Sequence, residues 1–470
     1  MKPGIAAFAA LMLAGCAAVG PNYRSPEPNA PAQTPLRGAA SSTFTPSEPP
    51  GDWWSLFRNP LLDRLVEEAL RNNTDLRVAA ANLARARAVL RETRTDRLPS
   101  TDISASATYG RPSGQALGLN GAAPTGDSYD AGIAIGYELD LFGGIRRGIE
   151  ASRADMESVQ AALDLARITV AADTTRAFAD ACSAGRQLEV ARETLRVQEQ
   201  TFNLTRRLFE GGRATALDTN QAASLLDQTR AAVPNLEAQR ETALYRLSVL
   251  TGRPPADFPR EVATCTAPPT LADPIPVGDG ATLLARRPDI RAAERSLAAE
   301  TARIGVATAE LYPSVSLGLT AGSTANSPGG LVSNSAFRFS IGPLISWTFP
   351  NVARARARIA QARASTDAAL ARFDGTWLHA LEETESALTR YARELDRRAA
   401  LRSARDHSAE AARIARLRYQ AGRESFQIVL DAERDVAQTD AALAQSETLL
   451  SDDLVTLFLA LGGGWQGGHQ

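Results

Sequence analysis

Lysine is almost missing from this chain of 470 residues: Lys2 is the only one, and arginine carries the remaining formal positive charge. The formal net charge is −2, so there is no basic footprint for nucleic acid. Histidine is as scarce. His379, His407 and His469 lie without metal-ligand spacing, and no Cys–His cluster exists. Met156 is the sole methionine beyond the first fifteen residues, so a thioether relay for Cu(I) has no support. No stretch past the leader reaches the roughly 18 consecutive apolar residues of a transmembrane helix. Gly211-Gly212 is no phosphate loop, because it follows a helical pattern and lacks a lysine. Neither an enzyme nor a metal or cofactor site is expected.

What is present begins with a targeting segment. Lys2 precedes an apolar run, Ile5 to Ala14, that is too short to span a bilayer. It ends Leu13-Ala14-Gly15-Cys16, which has the order of a bacterial lipobox. The expectation is a signal peptide over 1–15, a lipid on the Cys16 thiol, and a lipidated tether over 16–52. That tether is rich in Pro, Ala, Ser and Thr, a composition that buries little. Ala17 follows the cysteine, and by resemblance to bacterial lipoproteins this sends the anchor to the outer membrane. The alternative is an ordinary leader with an incidental cysteine. Cys182 falls in a helical pattern and Cys265 in a Pro-rich linker. A secreted chain permits a bridge between them, but whether they pair stays open.

Ordered structure is expected to begin at Trp53-Trp54-Ser55-Leu56-Phe57. Helical patterns cover about 60–72 and 74–97. Strands follow at about 101–110 and 131–142, then long helices at about 145–210 and 214–250. Gly211-Gly212 separates the two helices as a C-terminal cap would, and Pro234 is expected to kink the second. A linker over 253–280 holds seven prolines. The pattern then returns, with strands at about 314–322 and 337–349, helices at about 352–421 and 424–461, and a flexible tail over 463–470. Asp75-Leu76-Arg77 matches Asp289-Ile290-Arg291, and Phe209-Glu210-Gly211-Gly212-Arg213 parallels Tyr419-Gln420-Ala421-Gly422-Arg423. Residues 53–252 and 281–462 are thus two repeats of one helix–strand–strand–long helix–helix unit. A helix of about seventy residues would extend on the order of 100 Å.

All four strands carry one apolar and one small or polar face. Ile133, Ile135, Tyr137 and Leu139 alternate with Gly132, Ala134, Gly136 and Glu138, and Phe337, Phe339 and Ile341 with Arg338, Ser340 and Gly342. A soluble sandwich and an outer-membrane barrel share that pattern. The outer-membrane address, strands near the ~9–11 residues that cross a bilayer, and aromatic strand ends at Tyr109, Trp347 and Phe349 favour the barrel. Four strands cannot close, and an open edge in lipid is prohibitive. Copies must then share one barrel: two chains would fill its interior, whereas three begin to leave a lumen. Val429, Val436, Leu443, Leu450 and Leu457 recur every seven residues, which favours a left-handed supercoil. A standalone coiled-coil lipoprotein without a pore is the competing class.

Several motifs together resemble one family. They are Val19-Gly20-Pro21-Asn22-Tyr23, Trp53-Trp54 with Asn59-Pro60-Leu61, Tyr137-Glu138-Leu139-Asp140-Leu141-Phe142-Gly143, Arg286-Arg287-Pro288-Asp289-Ile290 and Val429-Leu430-Asp431-Ala432. In this order, with the duplication, the chain resembles the TolC-like outer-membrane efflux proteins, and more closely the NodT-type lipoprotein branch. The resemblance implies a mainly α fold with a transmembrane β-barrel. A homotrimer would share a 12-stranded barrel, a long α-helical barrel and an equatorial belt. It implies no chemistry, but the exit duct of a tripartite pump for small molecules. The implied partners are a periplasmic adaptor and an inner-membrane RND-type transporter. Export of proteins is the alternative within the family. Helix tips would close the tunnel, which makes Asp218, Asp431, Tyr419, Arg418, Arg213 and Arg423 the candidate gate residues. Ile428 replaces an earlier acidic residue of the family pattern, which puts a double acidic ring in doubt. For Asp218 and Asp431 the alternative role is favourable charge at a helix start.

Overall fold

The computed structural model describes residues 18–26, 36–113, 115, 118, 120–271, 274–278, 287–347, 349 and 352–463. The leader, Cys16, residues 27–35 of the tether, Arg286 and most of the tail lie outside these described residues.

The helices start where the sequence supplies caps. Helix α1 (Pro60–Asn72) has the Asn59 side chain accepting from the Leu61 and Leu62 amides, with Pro60 at its first position. It buries Leu62, Leu65, Val66 and Ala69, one face at helical spacing. Asn73 then accepts from the Asp75 and Leu76 amides and opens α2 (Thr74–Thr95). The long helix α3 (Gly144–Glu210) returns as α4 (Ala216–Leu250), which runs through Pro234 as one element. The second repeat gives α5 (Pro288–Ala309), α6 (Val352–Gln420) and α7 (Phe426–Ala460). Four helix ends share one stop. Gly212, Gly252, Gly422 and Gly462 take φ of 70°, 79°, 68° and 65°. The amide after each glycine donates to the carbonyl five residues back, as Arg213 does to Leu208 at 2.7 Å and Arg423 to Arg418 at 2.9 Å. A residue other than glycine would pay a Cβ penalty there, so these glycines fix where each helix ends.

The strands are β1 (Phe44–Thr45), β2 (Ser100–Gly110), β3 (Gly126–Leu139), β4 (Ile275–Pro276), β5 (Ser314–Ala325) and β6 (Phe337–Ser346). Strands β2, β3, β5 and β6 form one antiparallel sheet in that order. Four strand boundaries differ from the sequence reading, among them the end of β5 at Ala325 rather than about 322. Strand β3 begins at Gly126 rather than about 131, because Asp127, Ser128 and Tyr129 pair with Tyr109, Thr108 and Ala107. It ends at Leu139, before the expected Phe142, and β6 ends at Ser346, before Phe349.

The chain divides into two compact units. The first draws on Met1–Pro26, Leu83–Val159 and Ala292–Phe373, and holds the four-stranded sheet. In it the Arg147 guanidinium donates to Asn22 Oδ1 at 2.7 Å and to the Val19 carbonyl at 3.1 Å. The Tyr23 hydroxyl donates to Glu294 at 2.6 Å. Burial, then Glu294, pushes the Tyr23 hydroxyl well above the ordinary phenol range. The segment just past the lipobox is therefore clamped.

The second unit draws on Glu27–Asn82, Gln160–Arg291 and Asp374–Gln470. Its core gathers Trp53, Phe57, Leu62, Leu247, Ile275 and Phe458, with Trp53 stacked on Phe458 at 4.8 Å between ring centres. Part of the expected tether belongs here. Leu36 and Phe44 are buried, Phe44 lies against Tyr391, and β1 pairs in parallel with β4 of the Pro-rich linker. The apolar residues spaced among those prolines supply burial that overall composition conceals. The open question of the cysteines is answered as well: Cys182 and Cys265 form a disulfide.

Candidate functional site

The register of the sheet sorts its side chains into two surfaces. One set of rows reads Ile103–Ile133–Ala321–Phe339 and Ile135–Leu319–Ile341, followed by Leu139–Val315–Ile345. The alternate rows read Asp102–Ala134–Thr320–Ser340, Ser104–Gly132–Gly322–Arg338, and Gly136–Gly318–Gly342. The first surface is apolar across four strands apart from Thr101 and Ser323, yet Ile103 is 82%, Phe339 70%, Ile341 66% and Ile345 66% exposed. Water does not stabilise such a surface at this size. Leu344, 65% exposed, is a departure, since it falls on the polar side opposite Ser316.

The polar surface carries an ion pair that alternation alone did not reveal. Arg338 Nη2 donates to Asp130 Oδ2 at 2.6 Å, and Thr324 donates to the same oxygen at 2.7 Å. Backbones crowd here: a Cβ on Gly322 would lie 2.6 Å from the Ala131 carbonyl oxygen. Small residues leave this face room to curve inward. Among the described residues, β2 and β6 each have a strand neighbour on one side.

The long helices form two antiparallel hairpins. Arg192 to Glu237 links α3 with α4 at 2.8 Å, and Arg405 to Asp440 links α6 with α7 at 2.9 Å. Arg176 joins the hairpins, donating from α3 to Asp452 at 2.8 Å and Thr456 at 3.0 Å on α7. The seven-residue row packs as expected at Val429, Leu450 and Leu457, which are buried; Leu188 on α3 and Leu388 on α6 are buried too, while Phe209 at a helix tip is 45% exposed.

At the tips the structure brings together some of the expected gate residues. Tyr419 lies against Phe426, with ring centres 5.5 Å apart. Burial raises its hydroxyl pKa, the nearby Asp218 charge raises it further, and Arg213 opposes. Tyr419, Asp218 and Arg213 therefore share one neighbourhood. Asp218 is also engaged locally in a capping box, accepting from the Thr215 amide at 2.8 Å and hydroxyl at 2.7 Å. Arg418 pairs with Glu424 at 3.3 Å. Asp431 accepts from Gln427 at 3.0 Å and pairs with Arg434 at 3.2 Å on its own helix. Arg423 is exposed beyond the tip. Sequence reasoning missed Glu433, buried two residues past Asp431, where it accepts from Thr201 at 3.0 Å. An acidic residue at a position facing the heptad seam was the available signal.

These features define a class: a chain with a lipid-compatible portion of a β-wall and long hairpins that end in polar tips. The outer membrane efflux protein family model matches residues 65–253 and 281–463, one match per repeat. Outer membrane protein OprJ of Pseudomonas aeruginosa is 32% identical over 467 residues, covering 99% of this chain and 97% of that protein. Nodulation protein T of Rhizobium leguminosarum bv. trifolii is 30% identical, covering 97% of this chain and 96% of its own length. The solved outer-membrane channel OprN superposes with a TM-score of 0.90 at 38% identity, over 95% of this chain and 99% of that one. The chain belongs to the outer membrane efflux protein family. It is an outer-membrane protein whose family forms exit ducts of efflux pumps.

Proposed function

We propose that three copies of this chain close one 12-stranded barrel and one helical tunnel. Through it small molecules leave passively, delivered by an RND-type transporter and a periplasmic adaptor. The carrying observation is the sheet. It has one exposed apolar face, one polar face with glycines and the Asp130–Arg338 pair, and two outer strands, β2 and β6, available for pairing. Closure by other copies satisfies those edges and puts the apolar rows in lipid. The chain performs no catalysis in this reading. Cys16 carries the lipid, and the clamp of Val19, Asn22 and Tyr23 holds the chain just past it.

The tips act as the gate. Asp218 and Asp431, repeated by threefold symmetry, focus a negative field in a narrow opening, while Tyr419, Arg418, Arg213 and Arg423 are the contacts that hold it closed. Single-channel recording in planar bilayers tests both parts. The purified protein is expected to conduct. Asp218→Ala with Asp431→Ala is expected to raise the conductance or shift cation selectivity. A trimer that never conducts, even with altered tips, is the pore-free coiled-coil lipoprotein instead. Unchanged current–voltage curves in a conducting trimer would leave both carboxylates as helix-start charges only.

A further inference from the structure

Cys182 sits on α3 with no exposed surface, and its bonded partner Cys265 lies half-buried in the Pro-rich linker, their Cα atoms 4.7 Å apart. Both sides are shaped for this contact. On the helix, Ala181 and Ala184 are buried, and a Cβ added to Gly185 would meet the Cys265 carbonyl oxygen at 2.1 Å. Glycine is what admits the segment so close. On the segment, the Cys265 amide donates to the Val262 carbonyl at 3.0 Å and Val262 is buried. Further along, Ser451 donates to the Pro269 carbonyl at 3.2 Å, and the Ile275 and Val277 amides donate to Thr43 and Thr45 at 2.9 and 3.0 Å.

The bond joins residues 83 positions apart. The ring it closes contains all of α4 and the distal part of α3, so it ties the α3–α4 hairpin at its base and leaves the tip unconstrained. Such a bond suits the oxidising side of the inner membrane. This inference rests on the periplasmic exposure of the chain and not on its conducting.

We propose that Cys182–Cys265 is a staple on α3 that holds the segment around Cys265 in place, installed by a thiol-oxidising protein disulfide of the periplasm acting through Cys265. The Cys265 thiolate attacks the oxidant's disulfide, forming a mixed disulfide and releasing a thiolate on the oxidant. The Cys182 thiolate then attacks the Cys265 sulfur and expels the oxidant as a dithiol. Two electrons and two protons leave the chain, and the oxidant's disulfide is reduced. Cys265 takes the first step because its sulfur stays within reach at the surface while Cys182 is enclosed.

The test uses full-length protein taken from outer membranes, denatured with a maleimide-polymer label and compared with a Cys182→Ala/Cys265→Ala variant. The expected result is no extra label before reduction and two extra labels after it. Gly185→Ala is expected to yield free thiols in a chain that retains its helix content. Hydrogen exchange of the double variant is expected to quicken at least tenfold over 262–278 and 43–45, with α7 unchanged. Two labels without reductant in the native protein would overturn the bond. Unchanged exchange in the double variant would overturn the staple.

Discussion

The Thr201 hydroxyl on α3 donates to the Glu433 carboxylate on α7 at 3.0 Å, and both residues are buried. This contact ties the first repeat's long helix to the last helix of the second repeat, two turns from the tips. Arg416 approaches the same carboxylate at 3.5 Å, and burial raises the Glu433 pKa against the pull of Thr201 and Arg416. Thr201→Val keeps the shape and removes the donor. It is expected to destabilise the folded protein by about 1–3 kcal/mol, read as a lower thermal midpoint in detergent. Glu433→Gln in the Thr201→Val background should restore part of the loss, since it removes a buried charge that has lost its Thr201 donor.

Asp180 on α3 is a second polar group under strain from its surroundings. Its pKa is pushed up to about 6, first by burial and then by the Asp452 carboxylate, with Arg176 and Arg246 opposing. Above that value the native state holds a carboxylate it would rather protonate. As pH falls from about 6 toward the ordinary 3.8, the folded chain binds a proton the unfolded chain lacks, and the penalty fades. Asp180→Asn is therefore expected to stabilise the folded chain at pH 7.5 by on the order of 1 kcal/mol, read as a higher unfolding midpoint, with the gain gone near pH 4. A gain that persists at acid pH would assign the effect to packing.

The two faces of β6 make opposite predictions. Ile341 lies on the exposed apolar rows and Ser340 on the polar ones. Ile341→Arg is expected to cost roughly 2–4 kcal/mol at mid-bilayer and to abolish outer-membrane assembly, read as loss of heat-modifiable protein in membrane fractions. Ser340→Arg is expected to assemble normally and reduce conductance. Reversed outcomes would turn the sheet inside out.

Most of the architecture was legible because local chemistry marked it. The φ-positive glycines at 212 and 422 placed the hairpin turns to within a few residues, and period-2 alternation placed all four strands. Boundaries failed where pairing, not pattern, extends a strand. Asp127 and Ser128 fell before the expected strand, yet they complete the ladder with Tyr109 and Thr108. The tether and the Pro-rich linker were least legible. The burial of Phe44 against Tyr391 and the bonding of Cys182 to Cys265 depend on contacts between residues far apart in the chain. At the tips, sequence placed Asp218 beside a helix start, and the structure adds that Thr215 holds it there while Tyr419 lies within its field.

Three chains are expected to complete one wall through their outer strands. Ser104→Cys on β2 with Ser340→Cys on β6, treated in outer membranes with a short bis-maleimide and run on a denaturing gel, tests it directly, because Cys182 and Cys265 are already bonded to each other. The expected result is a ladder of linked chains that ends at three, while either single variant stays at one. A ladder that ends at two, or no links between chains, would contradict the account.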